Sequence, residues 1–166
     1  MTVGALVLMA LDDHTLTAGA FSLSSYINLD PIEQVASSPA AADEMLWDCI
    51  DISYSRTIAG GAEQIARLNS LTSKEDVNFH FIICNGTSEV NGNICTTAKW
   101  KKQRIALPDR NWTGSDRTIR ICVVSDGLNV MPTDCQIKRT AALVEALARN
   151  FDITPEKISY PENWKL

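Results

Sequence analysis

The run from Val77 to Cys84 constrains the fold of this chain more strongly than any other segment. It is apolar, aromatic and β-branched, which is the composition that packs well on the pleated surface of a sheet. Continuous apolar runs of this kind are typical of strands that are covered on both faces. The run therefore predicts a central strand with other strands beside it and helices packed on the sheet.

Two further segments predict strands of the same sheet. Leu46 to Ser53 alternates, so that Ile50 and Ile52 lie on one face and polar residues lie on the other. Thr118 to Ser125 is rich in β-branched residues and predicts a third strand. The sheet is thus expected to draw its strands from the whole length of the chain after residue 45.

Helices are predicted between and after these strands. Ile65, Leu68 and Leu71 recur at helical spacing after a Gly-Gly pair. The clearest helix runs from Thr133 to Asn150, and its first residues have the T-x-x-Q spacing of a capping box. The apolar face predicted for this second helix consists of Ile137, Ala141, Val144 and Ala148, with Leu143 and Leu147 beside them.

The pattern as a whole predicts an α/β fold, in which a single domain at 46–166 has a central mixed β-sheet flanked by helices. Residues 1–45 are predicted to form an N-terminal extension. Its apolar run at 3–11 is half as long as a membrane helix needs, and is either a remnant signal or anchor segment or a short buried element. Residues 36–43 are small and turn-prone and predict a linker into the domain.

Composition excludes several classes of protein. The 166 residues are 45% hydrophobic and 21% charged, which argues against wholesale disorder, collagen and a multi-span membrane protein. The net charge of −5 argues against a dedicated nucleic-acid-binding protein, because phosphate contacts need clustered Lys and Arg. The dense basic cluster at 99–104 is interpreted as a solvated face.

Five cysteines in 166 residues do not predict a disulfide framework of the kind found in small secreted proteins, because five is an odd number and cannot be fully paired. Their spacing also differs from the paired ligands of zinc ribbons and knuckles. Cys84 and Cys95 flank a turn region with two Asn-Gly pairs, so they could face each other across a hairpin. A disulfide between them would be expected only in an oxidising compartment.

Several motifs follow one another in a recognisable order over roughly residues 46–160. Ile50–Thr57 matches much of the pattern I-x-I-H-H-[ST]-x-T, Asn78–Ile83 matches G-Y-H-F-[VI]-I, and Ile119–Val124 matches I-G-I-C-L-V-G. The weaker matches are Asn85-Gly86, Asn91–Ile94, Lys99–Gln103, Pro132–Gln136 and Ile153–Ile158. Together they resemble the zinc-dependent N-acetylmuramoyl-L-alanine amidases and peptidoglycan recognition proteins.

The resemblance implies catalysis by a zinc ion held on three side chains, and this chain departs from it at each position. Ser53 stands at the first ligand, followed by Tyr54, and Tyr160 stands near the second. The third ligand would fall beyond residue 166. Phe79 replaces the tyrosine that assists catalysis in many members of the family, and Leu107 replaces the histidine of a G-A-H segment. The resemblance therefore implies a domain that has the fold of the family but lacks its zinc ligands.

The matching positions predict a groove. Its candidate ligand-binding residues are Ser53, Tyr54, Arg56, Phe79, Trp100, Leu107 and Tyr160, with Trp112 nearby. Aromatic side chains and an arginine could stack on a sugar or peptide and pair with a carboxylate. The same side chains could instead fill the vacated metal pocket and leave no ligand site.

The two histidines supply no obvious catalytic group. His80 alternates with Phe79 along the predicted strand and so points to the opposite face, where we expect a hydrogen-bonded core histidine. A Ser-His-Asp arrangement of Ser53, His80 and Asp51 lacks any supporting turn motif.

These observations predict a catalytically inactive amidase-like domain that binds peptidoglycan, a muropeptide or an envelope protein and needs no cofactor. One alternative is an active zinc-dependent amidase with non-standard ligands, the one case in which zinc is expected. Another is a structural or assembly protein with no small ligand. No nucleic-acid partner is expected, membrane association would involve only the N-terminal segment, and the cell envelope is favoured as the location.

Overall fold

The structure, a computed structural model, describes residues 29–37, 47–58, 60–108 and 112–164. The strands in this part of the chain are β1 Cys49–Tyr54, β2 Phe81–Ile83, β3 Ile94–Thr96, β4 Thr118–Val123 and β5 Ile158–Ser159. They form one sheet in the order β3-β2-β4-β1-β5. The β2–β3 pair is antiparallel and the other neighbours are parallel, so the sheet is mixed, as predicted.

The helices among these residues are α1 Ile32–Ala36, α2 Ala62–Leu68, α3 Ala98–Lys101 and α4 Asp134–Phe151. Two short 3-10 helices lie at Lys74–Asp76 and Pro155–Lys157. The predicted α/β class is therefore confirmed. None of these helices is long and apolar enough to cross a membrane in the ranges that the structure describes.

The core lies on both faces of the sheet, because its central strands are buried along their whole length. All six residues of β4 and all three of β2 are buried. On one face, Ile50 and Ile52 of β1 pack in the larger apolar cluster with Leu143 and Leu147 of α4. On the other face, a smaller cluster joins α2 to β2 and β4. The predicted central strand is interior, but it is shorter than the run 77–84.

Helix α2 corrects one prediction about the core. Leu68 was expected on the apolar face with Ile65, but its side chain is 60% exposed. The buried face consists of Ala62, Ile65 and Ala66, and successive helical residues rotate by about 100° around the axis. Leu68, the last helical residue, consequently points away from the sheet.

Part of the predicted N-terminal extension belongs to the packed domain. Val35 and Ala36 of α1 are buried in the larger cluster, and the Arg139 guanidinium of α4 donates to the Asp30 carbonyl at 2.7 Å. Residues 30–36 therefore pack with the domain that the sequence places at 46–166. The apolar run at 3–11 and most of the predicted linker at 36–43 lie outside the described residues.

The capping box predicted for α4 is confirmed. The Thr133 hydroxyl accepts from the Gln136 N–H at 3.1 Å, and the Gln136 side chain accepts from the Thr133 N–H at 3.0 Å. The Thr133 hydroxyl also donates to the Asn91 side chain at 2.8 Å, which joins the helix start to the loop after β2.

Replacing Thr133 by alanine is expected to lower the free energy of unfolding by about 1–2 kcal/mol, because the helix start loses its side-chain acceptor. Urea denaturation monitored by circular dichroism measures the change. Thr133→Ser keeps the hydroxyl and is expected to lose less. Equal losses in the two variants would show that the methyl group, and not the cap, matters at this position.

Candidate functional site

A cavity of about 570 Å³ lies on the face of the sheet that α2 covers. Five of the seven predicted ligand-binding residues line it, and they come from three separate segments of the chain. They are Ser53, Tyr54 and Arg56 at the end of β1, Phe79 before β2, and Tyr160 after β5. This groove cavity is the candidate site.

The other two predicted residues do not line the groove cavity, and their placement corrects the prediction. Trp100 is 1% exposed and packs in the core, with its ring 4.6 Å from that of Phe81 and 6.1 Å from that of Phe151. Leu107 points to solvent, while its backbone pairs with the Asn78 side chain at 2.6 and 3.0 Å. A bound molecule in the cavity would not reach the buried Trp100 ring.

Strand alternation explains which β1 side chains reach the cavity. Ile50 and Ile52 face α4, so Asp51 and Ser53 face the groove. The Ser53 hydroxyl oxygen is buried and has no hydrogen-bond partner in the described chain. A buried hydroxyl without a partner costs free energy, so this oxygen is available to a polar group that enters the cavity.

Arg120 of β4 forms part of the cavity wall beside Asp51. The parallel register pairs the two residues, and the Arg120 Nε lies 3.8 Å from an Asp51 carboxylate oxygen. The guanidinium carbon sits 4.5 Å from the centre of the Phe79 ring and 4.3 Å from that of Trp112. Arginine between two aromatic rings is a cation–π arrangement, which holds both rings in place.

At this wall, burial changes the pKa of the Asp51 carboxyl more than the neighbouring charge does. Burial raises the pKa of the Asp51 carboxyl above its usual value, and the neighbouring Arg120 cation offsets part of that rise. Arg120 also donates to the Asn78 carbonyl at 3.0 Å. The arginine is thus held by two polar partners and two rings, and it acts as a fixed part of the wall.

Arg120 was not among the predicted site residues, although a signal for it was present. It is a charged residue within an apolar strand, at the position where the resembled family has glycine. A buried charge in a strand needs a partner, and Asp51 is the charged residue of the neighbouring strand. The register of the two strands, which the sequence does not specify, was needed to bring them together.

The two tyrosines of the groove are held by a third ring. Trp164 lies 6.1 Å from the ring of Tyr54 and 6.0 Å from that of Tyr160. Gly127 lets the loop after β4 approach Tyr54, because an added Cβ there would lie 2.3 Å from a ring carbon. Burial raises the pKa of both phenols, so both are neutral at pH 7.

Arg56 is the exposed cation of the groove. Its backbone is left-handed, with φ of 57°, in a turn braced by Ser55, whose hydroxyl donates to the Thr57 carbonyl at 2.9 Å. The same Ser55 oxygen accepts from the Ser125 N–H at 3.1 Å. Arg56 itself forms no ion pair with the described residues. Its guanidinium is therefore available to an acidic group.

His80 is the core histidine that its alternation with Phe79 predicts. Its ring is fully buried, with the Trp47 ring 4.8 Å away in an edge-on arrangement. Its Nδ1 accepts from the Arg120 N–H at 2.9 Å, and its Nε2 donates to the Arg104 carbonyl at 2.9 Å. The Ser-His-Asp arrangement is thus excluded, because both ring nitrogens are already engaged with the backbone.

The groove cavity does not fit the zinc site that the resemblance would require. Ser53 and Tyr160 stand at the ligand positions and offer neutral hydroxyl groups, which bind zinc weakly. Among the residues that the structure describes, no group of three or more His, Cys, Asp or Glu side chains is placed to hold a metal ion. No reaction step through a metal is therefore derived for this chain.

Comparisons with protein-family models, curated proteins and solved structures find no match to this chain. The relation to the amidases and recognition proteins consequently rests on the ordered motifs and stays a prediction. The groove cavity and the chemistry of its side chains are therefore the basis for a proposed function.

Proposed function

We propose that this chain is a catalytically inactive amidase-like domain that binds a muropeptide or a peptidoglycan strand in the groove cavity. One observation carries the proposal. Segments far apart in the sequence bring aromatic, hydroxyl and cationic side chains together in one cavity. These are the groups that recognise a sugar ring and an acidic peptide.

The composition of the groove cavity supports a ligand of mixed character. Tyr160 offers a ring face for a sugar, the Ser53 hydroxyl offers a buried polar contact, and Arg56 offers a charge. A muropeptide carries a sugar ring and peptide carboxylates on one molecule. Arginine pairs well with such carboxylates through two parallel hydrogen bonds.

The same residues support binding without turnover. Hydrolysis of an amide by the family's route needs a metal-activated water, and hydroxyl groups replace the metal ligands here. The Phe79 ring has no hydroxyl and is stacked on Arg120. The groove can therefore hold a substrate-like molecule without the metal-activated water of the family's route.

Calorimetric titration of the purified full chain with a disaccharide-tetrapeptide muropeptide tests this proposal. We expect saturable heat and a rise in melting temperature, because a ligand that binds only the folded state stabilises it. Incubation with added zinc, followed by chromatography, is expected to release no stem peptide. Turnover with stoichiometric zinc would instead establish the active amidase. Absence of heat and of a melting shift would favour a structural or assembly role.

Replacing Arg56 by glutamine is expected to weaken muropeptide binding by about ten- to a hundredfold, because a charge-assisted hydrogen bond contributes roughly 1.5–3 kcal/mol. Glutamine keeps a side chain at the left-handed position, so the backbone cost is unchanged. Arg149→Gln is the matched control, since Arg149 is an exposed arginine of α4 that pairs with Glu145 one turn earlier in the helix. Equal affinities of the two variants would contradict the assigned role of Arg56.

A further inference from the structure

A second feature of the sheet lies outside the groove cavity, at the β2–β3 hairpin. Cys84 and Cys95 are both free thiols, and their sulfur atoms lie 3.5 Å apart. Cys95 lies in β3 opposite Ile82, and Cys84 follows β2 on the same face of the hairpin. The predicted facing of the two cysteines is confirmed, and the bond between them is not formed.

The backbone hydrogen bonds around the pair place Cys84 opposite Asn93, so Cys84 and Cys95 are diagonal neighbours across the hairpin. The Cys84 N–H donates to the Asn93 carbonyl at 2.9 Å, and the Gly92 N–H donates to the Cys84 carbonyl at 2.8 Å. The ladder thus extends past β2 and fixes the two strands. A disulfide bond of about 2.05 Å would require the two sulfur atoms to move together by about 1.5 Å.

The two thiols differ in access. Cys84 is fully buried, whereas Cys95 is half-buried in an edge strand and lines a separate cavity of about 390 Å³ between β3 and α2. Lys74 and Lys101 line the same cavity. A small molecule in that cavity could reach the sulfur of Cys95 before it could reach Cys84.

The two thiols also differ in pKa. The hydrogen bond between the two sulfurs and the cations of Lys101 and Lys74 lower the pKa of Cys95, whereas burial and the Glu89 carboxylate offset part of that effect. The same contact and burial raise the pKa of Cys84. The Asn93 side-chain amide also donates toward the Cys95 sulfur at 3.7 Å. Thiolate character, which determines nucleophilicity toward a disulfide, therefore concentrates on Cys95.

We propose that Cys84 and Cys95 form a reversible dithiol–disulfide pair that exchanges with low-molecular-weight disulfides such as glutathione disulfide, with Cys95 as the attacking sulfur. The Cys95 thiolate bonds to one sulfur of the disulfide, and the other sulfur leaves as a thiolate. That thiolate takes the Cys84 proton, directly or through solvent. The Cys84 sulfur then bonds to Cys95 and displaces the second glutathione. Two protein thiols are oxidised and one disulfide is reduced to two thiols.

The sequence offers a direct readout of this exchange. Trypsin cleaves after lysine and arginine, and the peptide 75–99 contains Cys84 and Cys95 and no other cysteine. The reduced full chain is equilibrated with glutathione and glutathione disulfide, alkylated with iodoacetamide and digested. We expect this peptide to carry no alkyl group and to be lighter than the reduced, unalkylated peptide by the mass of two hydrogen atoms. Cleavage at Glu89 should then leave its two halves joined until a reductant is added.

Variants identify the attacking sulfur. Cys84→Ala is expected to trap glutathione on Cys95, whereas Cys95→Ala is expected to leave Cys84 unmodified. Cys49→Ser is the control, because Cys49 lies on β1 and should not alter the crosslink. Two alkylated cysteines in the oxidised wild-type peptide would overturn the proposal, and so would a glutathione adduct on Cys84. The wild-type peptide decides the question even if a variant fails to fold.

Discussion

Replacing Gln136 by leucine is expected to lower the free energy of unfolding by about 3 kcal/mol, a large effect for a polar residue. Gln136 is fully buried at the start of α4. Its amide nitrogen donates to the Ile83 carbonyl and to the Val124 carbonyl, both at 3.0 Å. Leucine fills a similar volume but donates no hydrogen bond, so these buried carbonyl groups lose a donor and the capping box loses its acceptor.

Chemical denaturation of matched variants separates the donors from the acceptor. Gln136→Glu keeps an oxygen for the Thr133 N–H but turns a carboxyl toward two carbonyl groups, so its stability relative to the wild type should rise as the pH falls and the carboxyl becomes protonated. Gln34→Leu removes an exposed glutamine from α1 and is expected to change stability by less than about 0.5 kcal/mol. A loss at Gln136→Leu as small as this control would contradict the role assigned to the amide.

Gln136 shows which contacts the local sequence pattern predicts in this chain and which it does not. The T-x-x-Q spacing predicts its bond to the Thr133 N–H, because both groups belong to one helical turn. Its two bonds to strand carbonyls involve residues 53 and 12 positions away, and no local rule places them. The same limit applies to the strands, where alternation predicts the faces of Ile50 and Ile52 but not the neighbour of each strand.

The residues of the groove also differ in whether the local sequence predicts them or only the tertiary structure reveals them. Ser53, Phe79 and Tyr160 could be selected by position in the ordered motifs, and the structure brings them to one cavity. Trp100 follows the same kind of argument and nevertheless lies in the core, because the large ring is better covered by Phe81 and Phe151 than by a groove. Arg120 enters the cavity wall only through its register with β1. Residues that depend on register or on core packing need the tertiary structure.

Acid is expected to destabilise this protein through His80, by about 3 kcal/mol between pH 7 and pH 4. Burial, together with the cations of Lys99 and Arg120, lowers the pKa of His80 from 6.5 to about 4, although the hydrogen bond to the Arg104 carbonyl acts in the opposite direction. Its Nδ1 accepts the Arg120 N–H, so a proton on that nitrogen would replace a hydrogen bond by a clash of two donors. At pH 7 the ring is neutral whether the chain is folded or unfolded. As the pH falls below about 6.5, the unfolded ring takes up a proton and the folded ring does not, which favours unfolding.

Urea denaturation of the wild type and of His80→Gln at pH 7 and at pH 4.5 measures this contribution. Glutamine keeps a donor for the Arg104 carbonyl and does not titrate, so the variant should be less stable at pH 7 but should lose less stability on acidification. Carboxyl groups and the other histidine are common to both proteins, and their contributions cancel in the comparison. Equal losses in the two proteins, or a His80 ring that NMR shows to be protonated in the folded state at pH 5.5, would contradict the prediction. The loss should disappear above pH 7, because neither state then holds the additional proton.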